Sequence, residues 1–154
     1  MKATPGTPLF FMKEAVKEAE KALRLGEVPI GCVIVSDGRI VSRGHNTRET
    51  KKTALGHAEI AAIEKACRKL GGWRLWNCEL YVTLEPCAMC AGAILSARIP
   101  KVYFAAADPK AGAFGSVLDL NALPLNHKAR IEQGLLEQES RMLLQSFFKT
   151  LRTK

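Results

Sequence analysis

Long apolar runs are missing from this 154-residue sequence. The most apolar N-terminal stretch, Leu9 to Met12, is followed at once by Lys13 and Glu14. It is too short for the apolar segment of a secretory signal, and nothing approaches the roughly 20 residues of a membrane helix. No membrane partner is therefore expected. Internal repeats, low-complexity tracts and linkers are also absent, which argues against a modular or disordered chain. Acidic side chains are scarce: 15 Asp and Glu face 23 Lys and Arg, a net charge of +8. Such a surplus suits a polyanion such as RNA, DNA or an anionic membrane, although solvated basic surfaces are common without one. The cysteines, Cys32, Cys67, Cys78, Cys87 and Cys90, are odd in number. With no signal segment, they point to a reducing cytoplasm, where paired cysteines serve metals more often than disulfides.

What is present is ordinary for a globular protein, with 47% apolar and 25% charged residues. The length fits one domain, residues 1–154, large enough to close its own core. Met12, Ala15, Val16, Ala19, Ala22 and Leu23 recur at helical spacing, so a helix is expected from Pro8 to Leu25, with Glu20 and Arg24 spaced for an ion pair. Two strands follow, Ile30 to Ser36 and Arg39 to Gly44, hinged on Asp37-Gly38, a hairpin dipeptide. After a polar loop, Asn46 to Gly56, a second helix is expected from His57 to Leu70, with Ile60, Ile63, Cys67 and Leu70 on one face and Gly71-Gly72 as its stop. A strand from Glu79 to Leu84, a helix from Cys87 to Ala97 opened by Pro86, and a parallel strand from Lys101 to Ala106 come next. The Gly- and Ala-rich segment Asp108 to Ser116 reads as a loop, and Lys128 to Glu132 as a short fifth strand. A last helix, Leu136 to Leu151, carries Leu143, Leu144, Phe147, Phe148 and Leu151 on its apolar face. Alternation of this kind predicts an α/β fold with helices on both faces of a sheet.

The pattern with chemical content is His57-Ala58-Glu59 followed by Pro86-Cys87-Ala88-Met89-Cys90. Zinc takes nitrogen and sulfur donors in a tetrahedron. Cysteines three apart at a helix start place both sulfurs on one side of the turn, and the helix dipole there favours thiolate. His57 can supply an imidazole from another helix. Cys78 stands near the far end of the strand that delivers Cys87, roughly 20 Å away at about 3.3 Å per residue. Cys67 is about 15 Å along the helix from His57. Cys32 has no placement from sequence. Three protein ligands and one open position is the arrangement of a catalytic zinc. Glu59, two residues from the histidine, points elsewhere and suits a proton shuttle beside a water whose pKa zinc lowers to about 7. Taken singly, the Cys-x-x-Cys pair also fits a redox couple or a structural zinc site, and His57 a helix cap. The combined pattern is the signature of zinc deaminases, enzymes that replace an amino group with oxygen and release ammonia.

Beyond this motif, the stretches Gly26 to Gly31, Gly44-His45-Asn46, Thr83 to Gly92, Asp108 to Gly112, Asn126-His127 and Phe147-Phe148 resemble the bacterial tRNA-specific adenosine deaminases, a branch of the cytidine deaminase-like superfamily. The resemblance runs from about Phe11 to Arg152. It implies a three-layer α/β/α cytidine deaminase-like fold with a five-stranded mixed central sheet. It implies conversion of adenosine to inosine at the wobble position of a tRNA anticodon stem-loop, and a homodimer with one Zn2+ per subunit. Deamination of a free nucleobase or nucleoside on the same fold is the alternative. By motif match, Asn46 would hydrogen-bond the flipped base. Val28, Pro29, Ala58 and Leu84 would line its pocket, and Asp108 and the loop after it would approach neighbouring nucleotides. Phe148 and Lys149 would lie near the anticodon loop, and Lys149, Arg152 and Lys154 could meet phosphates. Gly56 departs from the alanine expected before the histidine, and the loop Thr50 to Gly56 is unlike those of the family. Cys32 and Cys67 read as core residues, Trp73 and Trp76 as packing residues, and His45 and His127 as structural hydrogen-bonders.

Overall fold

A sheet of five strands in the order β2-β1-β3-β4-β5 divides the molecule into two helical layers. The computed structural model describes residues 3–152. Helix α1, Pro8–Arg24, opens on Thr7, whose hydroxyl accepts the Phe10 amide at 3.3 Å, with Pro8 in the first turn. Strands β1, Gly31–Ser36, and β2, Arg39–His45, form the expected hairpin. Asp37 and Gly38 both take positive φ, 54° and 72°, as the favoured two-residue turn demands. Helix α2, Ala58–Leu70, strand β3, Cys78–Leu84, helix α3, Ala88–Ser96, and strand β4, Lys101–Ala106, follow. Strand β5, Arg130–Gln133, and helix α4, Glu137–Arg152, complete the order, after a single 3-10 turn at Leu120–Ala122 that the sequence did not announce.

β1 runs antiparallel to β2 and β3, while β3, β4 and β5 are parallel. The three-layer arrangement with a mixed sheet is the one expected. Side chains alternate across it. Cys32, Ile34, Leu80, Val82, Val102 and Phe104 pack under α2 and α3. Val33, Val35, Tyr81, Tyr103 and Ala105 pack under α1 and the start of α4. Each fully buried Val, Leu or Ile is worth about 1.5–3 kcal/mol relative to exposure. Cys32 lies in the core and Cys67 packs against its edge.

Three expectations need correction. The buried stripe of α2 is Ala58, Glu59, Ala62, Ile63 and Ala66; Ile60 and Cys67 are only half-buried and Leu70 is exposed. Alanines at four-residue steps let the helix sit close to the sheet, near enough for the Ser42 hydroxyl to donate to the Ala62 carbonyl at 2.8 Å. Bulky residues are displaced to its flank. On α1, Glu20 and Arg24 do not pair; Lys17 bonds Glu14 and Lys21 bonds Glu18 at three-residue spacing. Trp73 and Trp76 are 51% and 52% exposed rather than packed inside. The Arg74 guanidinium lies 4.1 Å from the Trp73 ring centre, and His127 meets Trp76 edge-on. His127 also donates through Nε2 to the Ile99 carbonyl at 2.8 Å, and His45 Nδ1 lies 3.5 Å from Glu18.

Candidate active site

Two helix N-termini converge at the end of β3. His57 is the N-cap residue of α2 and Cys87 that of α3, and neither side chain caps its own helix. Both remain available to a common point. Cys90, one turn into α3, is fully buried. The Nδ1 atom of His57 lies 3.7 Å from the Cys87 sulfur and 3.4 Å from the Cys90 sulfur. The three donor atoms lie within 4.8 Å of one another, and among the described residues they are the only such cluster. Cys78 pairs with Ser36 at the opposite end of β3 and stays outside it. One imidazole and two thiols at this spacing can hold a metal ion with a coordination position left over. Donors of these types suit zinc.

The electrostatics are unusual for groups so deeply placed. Hydrogen bonds from Cys90 and His57 pull the Cys87 thiol down to about 3, a standing thiolate. The bond to Cys87, with burial, pushes the Cys90 thiol well up, and His57 is raised chiefly by its bond to Cys87. Glu59, on the first turn of α2, is 4% exposed. Burial pushes its carboxyl up to about 7, against the pull of the His57 charge. An acid in that range can both take and give a proton at neutral pH.

His57 and Glu59 floor a cavity of about 390 Å³, and Cys87 lines a smaller recess of about 120 Å³ that shares both of them. Val28, Asn46, His57, Ala58, Glu59, Leu84, Asp108 and Phe148, all singled out from sequence, contribute to the lining of the larger cavity. Pro29 is buried and outside the lining, because Val28 and Ile30 on either side face the space instead. Lys149 is exposed on α4 and also outside it. Ile30, Arg48, Ala107, Arg141 and Leu144 line the cavity with no sequence signal to mark them individually. Arg141 and Leu144 fall less than two turns and one turn before Phe148 on α4, so helical periodicity from that residue would have found them. A shallower groove of about 510 Å³ shares Lys110, Arg141, Leu144 and Phe148 with the cavity and continues over α4 to Leu151 and Arg152. Lys154 lies outside the described residues.

Asn46 is buried, and its side-chain oxygen accepts the Arg48 amide at 3.0 Å. That bond closes a turn and leaves the amide nitrogen without a protein partner among the described residues. The loop beyond is tight where the sequence departs from expectation. A Cβ at Gly56 would lie 2.8 Å from the Cα and the nitrogen of Arg48, so glycine there lets the loop close against the residue preceding His57. On the opposite wall, the Asp108 carboxylate accepts the Lys110 and Ala111 amides at 3.0 and 3.2 Å.

Comparison with known proteins places this geometry in a family. Residues 9–152 match the MafB19-like deaminase family. The tRNA-specific adenosine deaminase of Bacillus subtilis (strain 168) is 50% identical over 145 residues, 94% of this chain and 90% of that protein. A solved structure from work on A-to-I editing by tRNA:A34 deaminases at the wobble position of transfer RNA superposes with a TM-score of 0.86 at 46% identity, covering 88% of this chain and 99% of that one. A guanine deaminase from Bacillus subtilis superposes less closely, with a TM-score of 0.63 at 33% identity over 78% of this chain and 87% of that one. Half of the aligned residues are shared with a relative that spans nearly the whole chain, and the chain belongs to the tRNA-specific adenosine deaminases, within the MafB19-like deaminase family.

Proposed function

We propose that this protein hydrolytically deaminates adenosine to inosine at the wobble position of a tRNA anticodon. The observation that carries this reading is the union of two surfaces: a cavity floored by His57 and the buried Glu59, with the Cys87 and Cys90 sulfurs against His57 behind it, opens into a groove edged by Lys110, Arg141 and Arg152 and floored by Leu144, Phe148 and Leu151. A free nucleobase needs only the first. Single-stranded RNA, read by stacking and by cations on its backbone, needs both.

His57 through Nδ1, Cys87 and Cys90 would hold one zinc ion per subunit. When bound, zinc supplies a Lewis acid that makes a water molecule nucleophilic near neutral pH. The remaining work falls to the chain. Water oxygen adds to C6 of the adenine ring, and the C6–N6 bond breaks to release ammonia. The Glu59 carboxylate accepts a proton from the attacking water and delivers it to the departing nitrogen. The Asn46 amide nitrogen donates to a ring acceptor of the flipped base, and Val28, Ala58 and Leu84 supply apolar contact with it. Asp108, Pro109 and Lys110, with Phe148 and Lys149, engage the neighbouring nucleotides.

The same reading makes the chain a single domain that works as a cytoplasmic homodimer. Val117, Leu118, Leu123 and Leu125 leave large apolar side chains exposed, which suits a partner subunit. The five cysteines are all free, in keeping with a reducing compartment. Among the described residues no helix is long and apolar enough to cross a membrane.

The test is to treat tRNA bearing adenosine at the wobble position with purified protein and sequence that position. Inosine, read as guanosine, is the expected product. Unchanged adenosine, with turnover of a free base or nucleoside instead, would establish the alternative.

A further inference from the structure

Two buried glutamates take no part in the chemistry above. Glu27 is 1% exposed and Glu85 3%. Each adjoins a residue that lines the cavity, Val28 in one case and Leu84 in the other. Each spends its carboxylate on a loop far along the chain. Glu27 accepts the Glu49 amide at 3.1 Å and both the amide and the hydroxyl of Thr50 at 2.6 Å. Glu85 accepts the amides of Asp108, Phe114 and Ser116 at 3.0, 3.0 and 3.1 Å, and the Ser116 hydroxyl as well. Four donors saturate a carboxylate. The loop is wrapped so closely around Glu85 that a Cβ at Gly112 would lie 2.3 Å from its carboxyl carbon.

Those two loops are opposite walls of one cavity. Asn46 and Arg48 stand just before the residues that Glu27 holds, and Asp108, Pro109 and Lys110 stand within the loop that Glu85 holds. Burying a carboxylate is costly unless its hydrogen bonds are met. Apolar contact would cover these loops but would not fix their position, whereas charge-assisted hydrogen bonds are directional and about twice as strong as neutral ones.

We propose that Glu27 and Glu85 are positioning residues, each a clasp that sets one wall of the substrate cavity relative to the fixed floor at His57 and Glu59. The proposal rests on reading that cavity as the substrate site. Burial pushes the Glu27 carboxyl up, yet the Thr50 and Glu49 bonds outweigh it and hold the group below its ordinary value, as expected of a carboxylate that accepts at both oxygens.

The experiment combines amide hydrogen exchange with steady-state kinetics on an anticodon stem-loop, using the full chain with its metal. Glu85→Gln turns one acceptor into a donor facing other donors. It is expected to speed exchange of the amides at 108–116 at least tenfold while leaving 58–66 on α2 unchanged. It should lower kcat/KM at least tenfold and retain one metal per chain. Glu27→Gln is expected to do the same to 48–50 and to leave 108–116 protected. Should either variant fail to fold, Ser116→Ala and Thr50→Ala each delete one hydroxyl donor and are expected to loosen the same segments to a smaller degree. Unchanged exchange at the loops overturns the proposal, as does faster exchange spread evenly through α2 and β3. Loosened loops with parental kinetics also overturn it, since the clasps would then hold loops that the reaction ignores. The exchange pattern needs no deaminase activity, so a parent protein that forms no inosine would sink the functional reading while leaving the clasps to be judged by exchange alone.

Discussion

The floor and the outer wall of the cavity are built on opposite principles. At the floor and directly behind it, His57 and Glu59, then Cys87 and Cys90, sit on the first turns of two helices docked against the sheet, and their side chains bond or polarise one another. The outer wall is α4, of which Ser140 alone is buried, pinned to the Thr83 carbonyl at 2.5 Å. Beyond that pin the helix turns Arg141, Leu144 and a Phe148 that is 44% exposed toward the opening. A rigid, low-dielectric floor can tune pKa values by several units; an exposed wall cannot, but it can meet a large ligand. On the function proposed above, the floor carries the reaction type and the wall the substrate choice, and changes to each should fail in different ways.

The largest effect is expected at the metal donors. Cys87→Ala, or treatment with a strong chelator, should abolish metal binding and deamination together, as metal analysis and inosine assays would show. Glu59→Gln should separate them, keeping one metal per chain while the rate falls about 10²- to 10⁴-fold, the range for loss of a general acid–base group. A Glu59→Gln protein of near-parental rate would break the contrast at the floor. On the wall, Phe148→Ala should cost about 1–3 kcal/mol of RNA binding, the range for one base stacked on an aromatic ring, and appear in KM more than in kcat. Neutralising Lys149 or Arg152 should weaken binding less and flatten its salt dependence by about one unit of slope for each phosphate left without its cation. The smallest effect concerns acid stability. Glu14 and Glu27 resist protonation in the folded state: burial pushes both up, but Lys17 and Arg43 around the first, and Thr50, Glu49 and Arg48 around the second, outweigh it. Lowered folded values mean that the unfolded chain binds protons more readily. Their stabilisation is thus complete above the ordinary value of 4.5 and lost as pH falls through the folded values. Glu27→Gln should flatten the fall of the melting temperature below about pH 4.5 relative to the parent.

How far sequence reached follows the same division. The floor was legible because metal chemistry demands particular residue types at fixed spacing, and Pro86 and Gly71 mark where the helices begin and end. The strands were legible from alternation, as β1 shows with Cys32 and Ile34 on one face and Val33 and Val35 on the other. The wall was not. Asn46 alone reads as a turn residue, and in the structure it closes a turn and lines the cavity at once. Arg48, Arg141 and Leu144 are common residue types whose importance arises only when distant segments meet. Trp73 and Trp76 misled for a related reason: aromatic mass suggests a core, but cationic and imidazole neighbours hold these rings at the surface. Glu27 and Glu85 lay inside recognisable stretches, yet their partners are 22 to 31 residues away, beyond the reach of local pattern.

The division between floor and wall is tested most directly by comparing turnover of an anticodon stem-loop carrying adenosine at the wobble position with turnover of free adenosine and guanine, under one set of conditions. The expected result is inosine in the stem-loop with no measurable reaction of either free compound. Equal or faster turnover of a free compound would contradict it, since the floor would then choose the substrate without the wall.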